Sequence, residues 1–193
     1  MSGGRVKGTI MIEVVKYLRS YKEEARKVVA PRLQHYLDSR ILATSWHPEE
    51  DYLELMRAVV ELFPRTDETP EITSFEAASR ASSGAYFEGP YRSLVRRGDP
   101  ARTLNSLGAL WRLRHDTGEF EVRLDSGQGA TVLLRDYALV ARESCELVQG
   151  TLWGMLHHSG GEEIRIAHSR CRARGDGVCE WQLSWALGKD PLS

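Results

Sequence analysis

The last third of the chain, residues 136–185, most constrains the fold. It holds all three cysteines, three of the six histidines and three of the five tryptophans. Between Tyr137 and His158 apolar residues recur at helical spacing, with Gly150 and Gly154 one turn apart. Small residues four positions apart let a neighbouring element approach the helix backbone closely. We therefore predict a core-facing helix with a close neighbour.

Two strands separated by a turn-rich loop are predicted to follow this helix. Residues 163–168 alternate between polar and apolar, and residues 179–185 alternate again with tryptophans on the apolar side. The segment 170–177 between them is rich in turn-forming residues. A hairpin of this kind would bring Cys171 and Cys179 together at its base.

Four side chains of this unit can act as metal ligands. His168 precedes Cys171 by three residues, and Cys145 lies on the preceding helix. Cys145, His168, Cys171 and Cys179 thus form a Cys₃His set, the chemistry of a closed structural zinc site. The alternative is that the cysteines are reduced, buried thiols that pack as small hydrophobic groups. Linear spacing leaves both interpretations open.

Two sequence runs carry a resemblance to a known family. The run ESCELVQGTLWG at 143–154 and the run HSRCRARGDGVCEW at 168–181 resemble the C-terminal part of the 4-vinyl reductase domain. That domain belongs to a superfamily that includes haem-nitric-oxide-binding domains, the input domains of aromatic-sensing regulators and Golgi transport-particle subunits. The chain, including VKGTI at 6–10 and LWRLRHDTGE at 110–119, also resembles an uncharacterised myxobacterial family.

The resemblance implies a metal ligand set. In the phenol- and toluene-sensing regulators it implies a zinc ion held by one helix cysteine, an acidic residue and two cysteines around the hairpin loop. Cys145, Cys171 and Cys179 match that pattern, whereas His168 replaces the acidic ligand. We therefore predict zinc as the cofactor.

Haem is the other cofactor of the resembled superfamily. Its haem sensors use a helix histidine as axial ligand and a Tyr-x-Ser-x-Arg motif that holds the propionates. Here Tyr91 and Ser93 are followed by Arg96, one position late. His35 is the nearest helix histidine, and a surface or hydrogen-bonded imidazole is the commoner explanation for it. The sequence therefore predicts zinc rather than haem.

A pocket for an apolar small molecule is a further property that the resemblance implies. Such pockets are mainly aromatic and apolar with a few polar anchors. The same aromatic residues can equally be hydrophobic core, because large aromatics are mostly buried. The candidates for the pocket wall are Trp46, Tyr86, Phe87, Tyr91, Trp111 and Trp153.

The remaining pattern predicts helices followed by a first hairpin. Strands are expected at 120–124 and 131–134, where apolar and polar residues alternate around a glycine-rich turn. The predicted class is α+β, with N-terminal helices and then a small antiparallel sheet of two hairpins flanked by helices. Helical stripes occupy residues 7–21, 23–38, 48–63, 74–87 and 100–113.

The chain length suits one domain. With 193 residues, the chain is long enough for one well-buried domain and short for two. We expect one domain over 1–193, with a disordered N-terminus at 1–5 and a tail at 188–193. Residues 6–135 would form the helical part with the first hairpin, and 136–187 the helix with the cysteine-bearing hairpin.

Composition excludes several classes of partner. A formal net charge of −1 argues against broad capture of nucleic acid or anionic lipid. No run of apolar residues is long enough to span a membrane, and the first residues lack the apolar stretch of a secretory signal. An odd number of cysteines suits a reducing compartment. We expect a cytoplasmic protein without membrane or nucleic-acid binding.

Catalytic motifs are missing from the sequence. There is no G-x-S-x-G elbow, no phosphate-binding loop and no G-x-G-x-x-G. We predict a non-enzyme of one of two classes. One is a ligand-sensing module that acts through a partner protein, with the zinc hairpin holding its C-terminal lid. The other is a ligand-free interaction subunit that forms a homo- or heterodimer. Pairing through helices is implied by the resemblance, and the small residues of 74–85 suit it.

Overall fold

A computed structural model describes residues 3–64, 72–125 and 127–187. The polar, proline-containing segment 65–70, for which the sequence predicts a loop, lies outside these residues. So do the first two residues of the predicted disordered N-terminus, Ser126 of the first hairpin and the tail at 188–193. The helices are α1 Gly8–Arg19, α2 Lys22–Val28, α3 His35–Asp38, α4 Glu49–Leu62, α5 Ser74–Phe87, α6 Pro100–Leu104, α7 Leu107–Arg114 and α8 Arg142–His158. The strands are β1 Arg5–Lys7, β2 Trp46–Pro48, β3 Glu119–Leu124, β4 Gly129–Arg135, β5 Gly161–Arg170 and β6 Cys179–Leu187.

The main sheet consists of the two predicted hairpins. Its four strands run in the order β3-β4-β6-β5, and each neighbouring pair is antiparallel. The hairpins join where β4 pairs with β6, with Val132 opposite Trp181. Alternate residues of β6 are buried, as their pattern predicts: Cys179, Trp181, Leu183 and Trp185. The α+β prediction is confirmed.

A second, two-stranded ladder was not predicted. β1 pairs antiparallel with β2, with Arg5 opposite Pro48 and Lys7 opposite Trp46. Arg5 therefore belongs to a strand, although the sequence suggested a disordered start through residue 5. Strands of three residues are too short for a period of two to become visible in the sequence.

Two of the predicted helices are interrupted. Pro31 ends the second helical stripe, and a 3₁₀ turn at Pro31–Leu33 separates α2 from α3. The predicted helix at 100–113 divides into α6 and α7, with Ser106 at the junction. The Ser106 hydroxyl donates to the Leu94 carbonyl at 3.1 Å, so the side chain takes part in a local network that competes with the helix.

The long C-terminal helix begins later than predicted. α8 starts at Arg142, and the segment before it is irregular, with Asp136 in the left-handed region at φ 52°. Because Tyr137 and Leu139 are outside the helix, their side chains can point into the protein interior. Gly150 and Gly154 of α8 face α5, where a Cβ on Gly150 would come within 2.7 Å of the Glu76 carbonyl oxygen. The predicted close neighbour of α8 is therefore α5.

The buried side chains form two apolar clusters. The N-terminal core comes mainly from α1 to α4. The C-terminal core comes from the main sheet with α6, α7 and α8. Leu139 packs against both cores. Among the described residues, no helix combines the length and the apolar character that crossing a membrane requires.

Candidate functional site

A cavity of about 480 Å³ lies where the two cores meet. Its wall is contributed by α1, α4, α5, α7, α8 and the segment before α8. Most of the wall is apolar or aromatic, and the volume falls within the range of small-molecule pockets. Representative wall residues are Val14, Val59, Ala78, Trp111, Leu139 and Val148.

One cation, Arg114, stands in this wall. It is the last residue of α7, and only 7% of it is exposed. Its guanidinium carbon lies 4.8 Å from the ring centroid of Tyr86 and 5.9 Å from that of Tyr91. Nε of Arg114 has no hydrogen-bond partner, and no described carboxylate forms an ion pair with the group.

Arg114 belongs to the apolar stripe of α7. Leu107, Leu110, Trp111 and Arg114 follow the spacing i, i+3, i+4, i+7, which places them on one helix face. A charged side chain on that face must enter the protein interior. A charged residue at an apolar position is the sequence signal for Arg114. The prediction of pocket residues missed Arg114 because it considered aromatic side chains alone.

Hydroxyl groups supply the other polar positions of the wall. Ser144 on α8 is 6% exposed, and its Oγ has no hydrogen-bond partner among the described residues. Tyr52, Tyr86 and Tyr137 also line the cavity. Burial raises the pKa of each of these three phenols, so they remain protonated donors at neutral pH.

A buried acid and base sit beside the cavity. His115 Nδ1 lies 2.6 Å from Glu49 Oε1, and both side chains are almost fully buried. Burial raises the pKa of Glu49 to about 8, with a further contribution from the negative charge of Asp116. Burial, followed by the nearby charge of Arg114, lowers the pKa of His115 well below its usual value. Both shifts favour the uncharged forms of the two side chains.

The predicted pocket residues fall in different places. Tyr86 and Trp111 line the cavity. Phe87 and Tyr91 are buried in the C-terminal core. Trp46 and Trp153 do not line the cavity. Each of their rings contacts a cation instead: Lys7 Nζ is 4.3 Å from the ring centroid of Trp46, and the Arg80 guanidinium is 4.8 Å from that of Trp153.

The four predicted metal ligands are brought together. One donor atom from each of Cys145, His168, Cys171 and Cys179 lies within 4.8 Å of the others. Cys145 Sγ is 3.5 Å from Cys179 Sγ and 3.8 Å from Cys171 Sγ. The three thiols are buried and unpaired by disulfides. The fold thus brings four side chains that are separated in the sequence into one compact cluster, which lies between α8 and the cysteine-bearing hairpin.

The surroundings of the cluster favour a thiolate. A hydrogen bond from Cys145 lowers the pKa of Cys179 to about 4, with further help from His168 and the Arg172 backbone amide. The same hydrogen bond raises the pKa of Cys145. His168 stacks on Trp181 with ring centroids 4.6 Å apart, and its Nε2 is buried without a partner. An unpartnered imidazole nitrogen beside a thiolate is a donor set suited to a soft metal ion.

Comparisons with known proteins identify the fold. No protein-family model and no curated protein matches the sequence. Among solved structures, the Fe(II) unliganded H-NOX protein from K. algicida matches with a TM-score of 0.66 at 11% identity, over 95% of this chain and 98% of that chain. The H-NOX domain from Shewanella oneidensis in its Fe(II)CO state matches with a TM-score of 0.66 at 14% identity, over 98% and 100%.

A third similar structure is an oxygen-binding H-NOX domain related to soluble guanylate cyclases. It matches with a TM-score of 0.62 at 14% identity, over 97% of each chain. The chain therefore has the fold of the haem-nitric oxide/oxygen-binding domains, which agrees with the superfamily that the sequence resembles. Identities this low establish the fold alone, and the finer resemblance to 4-vinyl reductase domains is not confirmed.

The cofactor prediction needs correction. The sequence predicted zinc rather than haem, but the similar structures are those of H-NOX domains with Fe(II) or bound gases, and others concern haem distortion and haem redox potential. These structures are of haem-binding and not zinc-binding domains, so the comparison contradicts the zinc prediction, which is withdrawn. The resemblance of the cysteine spacing was misleading because spacing specifies a set of donors without specifying an ion.

The cavity meets part of what a haem requires. Among the described wall residues, His115 is the one histidine, and its Nδ1 is held by Glu49 as the second nitrogen of a metal-ligating histidine commonly is. Arg114 can pair with one propionate. No second cation lines the described wall, so the other propionate would lack a partner.

The residues that the sequence analysis compared with the haem motif and the axial ligand lie elsewhere. Tyr91 directs its hydroxyl to Thr9 at 3.2 Å. Arg96 donates to the Ser93 carbonyl at 2.7 Å. His35 is exposed and bonded through Nδ1 to the Arg32 carbonyl at 2.9 Å, which makes it a hydrogen-bonded surface imidazole. None of these positions contributes to the described cavity wall.

Proposed function

We propose that this protein is a non-catalytic small-ligand-sensing module, in which an apolar molecule occupies the cavity between the two cores. The observation that carries the proposal is the cavity itself, about 480 Å³ in volume with a predominantly apolar wall. Burial of an apolar ligand there is favoured by the hydrophobic effect. Because both cores contribute to the wall, a ligand would be in contact with both.

Signalling through a partner protein, with the chain paired as a homodimer in the cytoplasm, is part of the proposal. The chemistry of the cavity supports the non-catalytic part of the proposal. The polar groups around it are hydroxyls, the cation of Arg114, the carboxylate of Glu13 and the Glu49–His115 pair, and none of the serine and threonine hydroxyls is hydrogen-bonded to a described base that would activate it as a nucleophile. The small-residue helix considered for pairing, α5, packs against α8 through Ser79 and Ser83 in the described structure, so pairing would use another face.

Cavity filling tests the proposal. Ala78 lines the cavity from α5, and Ala78→Trp would occupy part of the space that a ligand needs. Titration with the neutral fluorescent probe N-phenyl-1-naphthylamine should show saturable binding to the wild type and at least about tenfold weaker binding to Ala78→Trp. Ala138→Trp adds the same side chain at an exposed position and should bind like the wild type.

The outcome separates the two classes of function. Equal binding by Ala78→Trp and the wild type would place the probe outside the cavity and contradict ligand sensing there. Absence of saturable binding to the wild type would also contradict it. That result would favour the ligand-free interaction subunit, a homo- or heterodimer, whose assembly light scattering can measure.

Haem-based sensing is a second candidate, favoured by His115 on the cavity wall and by the buried Glu49 that holds its Nδ1. Protein produced with a haem supply would then show a Soret band after purification. We would expect His115→Ala to lose the band and the surface variant His35→Ala to retain it. A spectrum without a Soret band would eliminate this candidate and leave the apolar-ligand proposal untouched.

We also propose that Cys145, His168, Cys171 and Cys179 bind a metal ion that fastens the hairpin to α8. Four donor atoms within 4.8 Å of one another support this. Cobalt(II) is a suitable probe, because thiolate coordination gives an intense charge-transfer absorption. We expect that absorption in the wild type and a strong reduction in Cys171→Ser. An unchanged spectrum on adding cobalt would support buried, reduced thiols instead.

A further inference from the structure

Arg114 is a buried cation without a described counter-ion. Its side chain is 7% exposed, its Nε is unpartnered, and it forms no ion pair among the described residues. A guanidinium remains charged at any physiological pH. Burying such a charge is costly unless an anion or several hydrogen bonds compensate it. The contacts with Tyr86 and Tyr91 supply ring quadrupoles and no negative charge.

The other groups around the cavity leave this charge uncompensated. Glu49 is hydrogen-bonded to His115 rather than to Arg114, and burial favours its protonated form. Glu13 is the one described carboxylate on the wall apart from that pair, and it is half-buried on α1 without an ion pair to Arg114. Tyr52 and Tyr137 remain neutral phenols because burial raises the pKa of each.

A second unpartnered donor faces the same space. Ser144 is 6% exposed, its Oγ lacks a partner, and it lines the cavity from α8, whereas Arg114 lines it from α7. Buried polar groups in native proteins are almost always hydrogen-bonded. Two unsatisfied donors on the wall of one apolar cavity indicate that the missing acceptor belongs to the ligand.

We propose that the ligand of this cavity, whose existence rests on the function proposed above, carries a carboxylate that pairs with Arg114 while its apolar body fills the aromatic and aliphatic wall. The ligand class is therefore an amphipathic monocarboxylic acid with an aromatic or aliphatic body. A guanidinium matches a carboxylate in a two-bond fork, which makes the pair both strong and directional. The Ser144 hydroxyl is a further donor for the same ligand.

Two probes that differ in charge test this. 4-Phenylbutyrate and 4-phenylbutan-1-ol share one carbon skeleton, and the first carries a carboxylate where the second carries a neutral hydroxyl. Calorimetric titration of the wild-type protein should give at least about tenfold tighter binding for the carboxylate. Raising the salt concentration should leave most of this difference, because a buried pair is weakly screened.

Variants at Arg114 test whether this residue causes the preference for the carboxylate probe. Arg114→Met keeps the length and apolar stem of the side chain but removes the charge, so it should lose the preference for the carboxylate and keep the affinity for the alcohol. Arg112→Met removes an exposed charge two residues earlier on the same helix and should bind both probes like the wild type. Arg114→Lys, which keeps the charge, guards against misfolding of the first variant and should retain part of the preference.

Each outcome bears on a different claim. Equal affinity of the wild type for the two probes, or an unchanged preference in Arg114→Met, would overturn the carboxylate assignment and leave the ligand-sensing function standing. Absence of binding by both probes would overturn the assignment together with the proposed function. A haem also carries carboxylates, and the Soret band of the purified protein distinguishes that source of negative charge from a simple acid.

Discussion

Glu49 and His115 show how one buried pair can set a pH response. Both are nearly inaccessible, and they share a hydrogen bond of 2.6 Å. The folded-state pKa of Glu49 is raised from 4.5 to about 8, so between these values the folded state holds a proton that the unfolded state has lost. The stability from the protonated carboxyl is therefore complete below pH 4.5 and is lost as the pH rises toward 8.

His115 acts in the opposite direction. Its pKa is lowered below 6.5, so its contribution to stability is complete above pH 6.5 and is lost as the pH falls further. Above that value only Glu49 of the pair titrates differently in the two states. Cys179, whose pKa is lowered to about 4, contributes a slope of the opposite sign between that value and its ordinary 9.0. The Glu49 contribution is therefore isolated by comparing the wild type with a variant that lacks this carboxyl.

Replacement of Glu49 by glutamine should change the slope of stability against pH above pH 6.5. Between about pH 6.5 and pH 8 the free energy of unfolding of the wild type should fall relative to that of Glu49→Gln, because the variant lacks the titrating carboxyl while every other group, Cys179 included, contributes equally to both proteins. Urea denaturation across this range measures the slope. Glu50→Gln changes the exposed neighbour and should keep the wild-type slope. Equal slopes in all three proteins would contradict the raised pKa of Glu49.

At the residue scale, sequence reasoning was strongest for the cysteines. Cys171 and Cys179 could be placed together because alternating strands on both sides of a loop specify a hairpin. Glu49 and Arg114 were not found, since their importance depends on burial. The sequence does contain a hint for Arg114, which occupies the fourth position of an otherwise apolar helical stripe.

At the scale of elements, the contact between α5 and α8 is the most extensive of the described helix packings that border the cavity. A Cβ on Gly154 would lie 2.6 Å from the Ser83 Cβ, and the Ser79 hydroxyl donates to the Leu147 carbonyl at 2.8 Å. The backbones of α5 and α8 are so close at Gly150 and Gly154 that an added Cβ atom would overlap atoms of α5. This contact holds the alanine-rich face of α5 against the cavity.

Gly150→Ala should therefore destabilise the protein. The added methyl group would overlap Ser79 and approach the Glu76 carbonyl, which outweighs the better helix propensity of alanine and costs about 1–3 kcal/mol. Gly177→Ala adds the same methyl group in open space and should change stability by less than about 0.5 kcal/mol. Equal stabilities of the two variants in urea denaturation would contradict the close packing.

The sequence predicts an element best where its pattern of apolar residues extends over many positions. The strands of the main sheet and the stripe of α8 were recovered because several residues repeat one pattern. The sequence pattern predicts a start of α8 at Tyr137 instead of Arg142, because the apolar residues Tyr137 and Leu139 continue the helical spacing although they turn toward the cavity. The β1–β2 ladder depends on pairing between distant segments, which no local pattern reveals.

At the scale of the whole molecule, the cavity lies between the two cores, and residues of both cores form its wall. Val59 belongs to the N-terminal core and Val148 to the C-terminal core, and both line the cavity. Leu139 touches both clusters. The α+β class could be predicted from element order, whereas the cavity could not, because it arises from how the two cores meet.

The most direct test of the central claim, that this cavity binds a small apolar molecule, is an NMR titration of methyl-labelled protein with 4-phenylbutan-1-ol. We expect saturable shifts at Val59 and Val148 that fit one dissociation constant, since both methyl-bearing residues face the same ligand. Shifts that fail to saturate, or that are confined to the exposed residues Leu113 and Val140, would contradict the account.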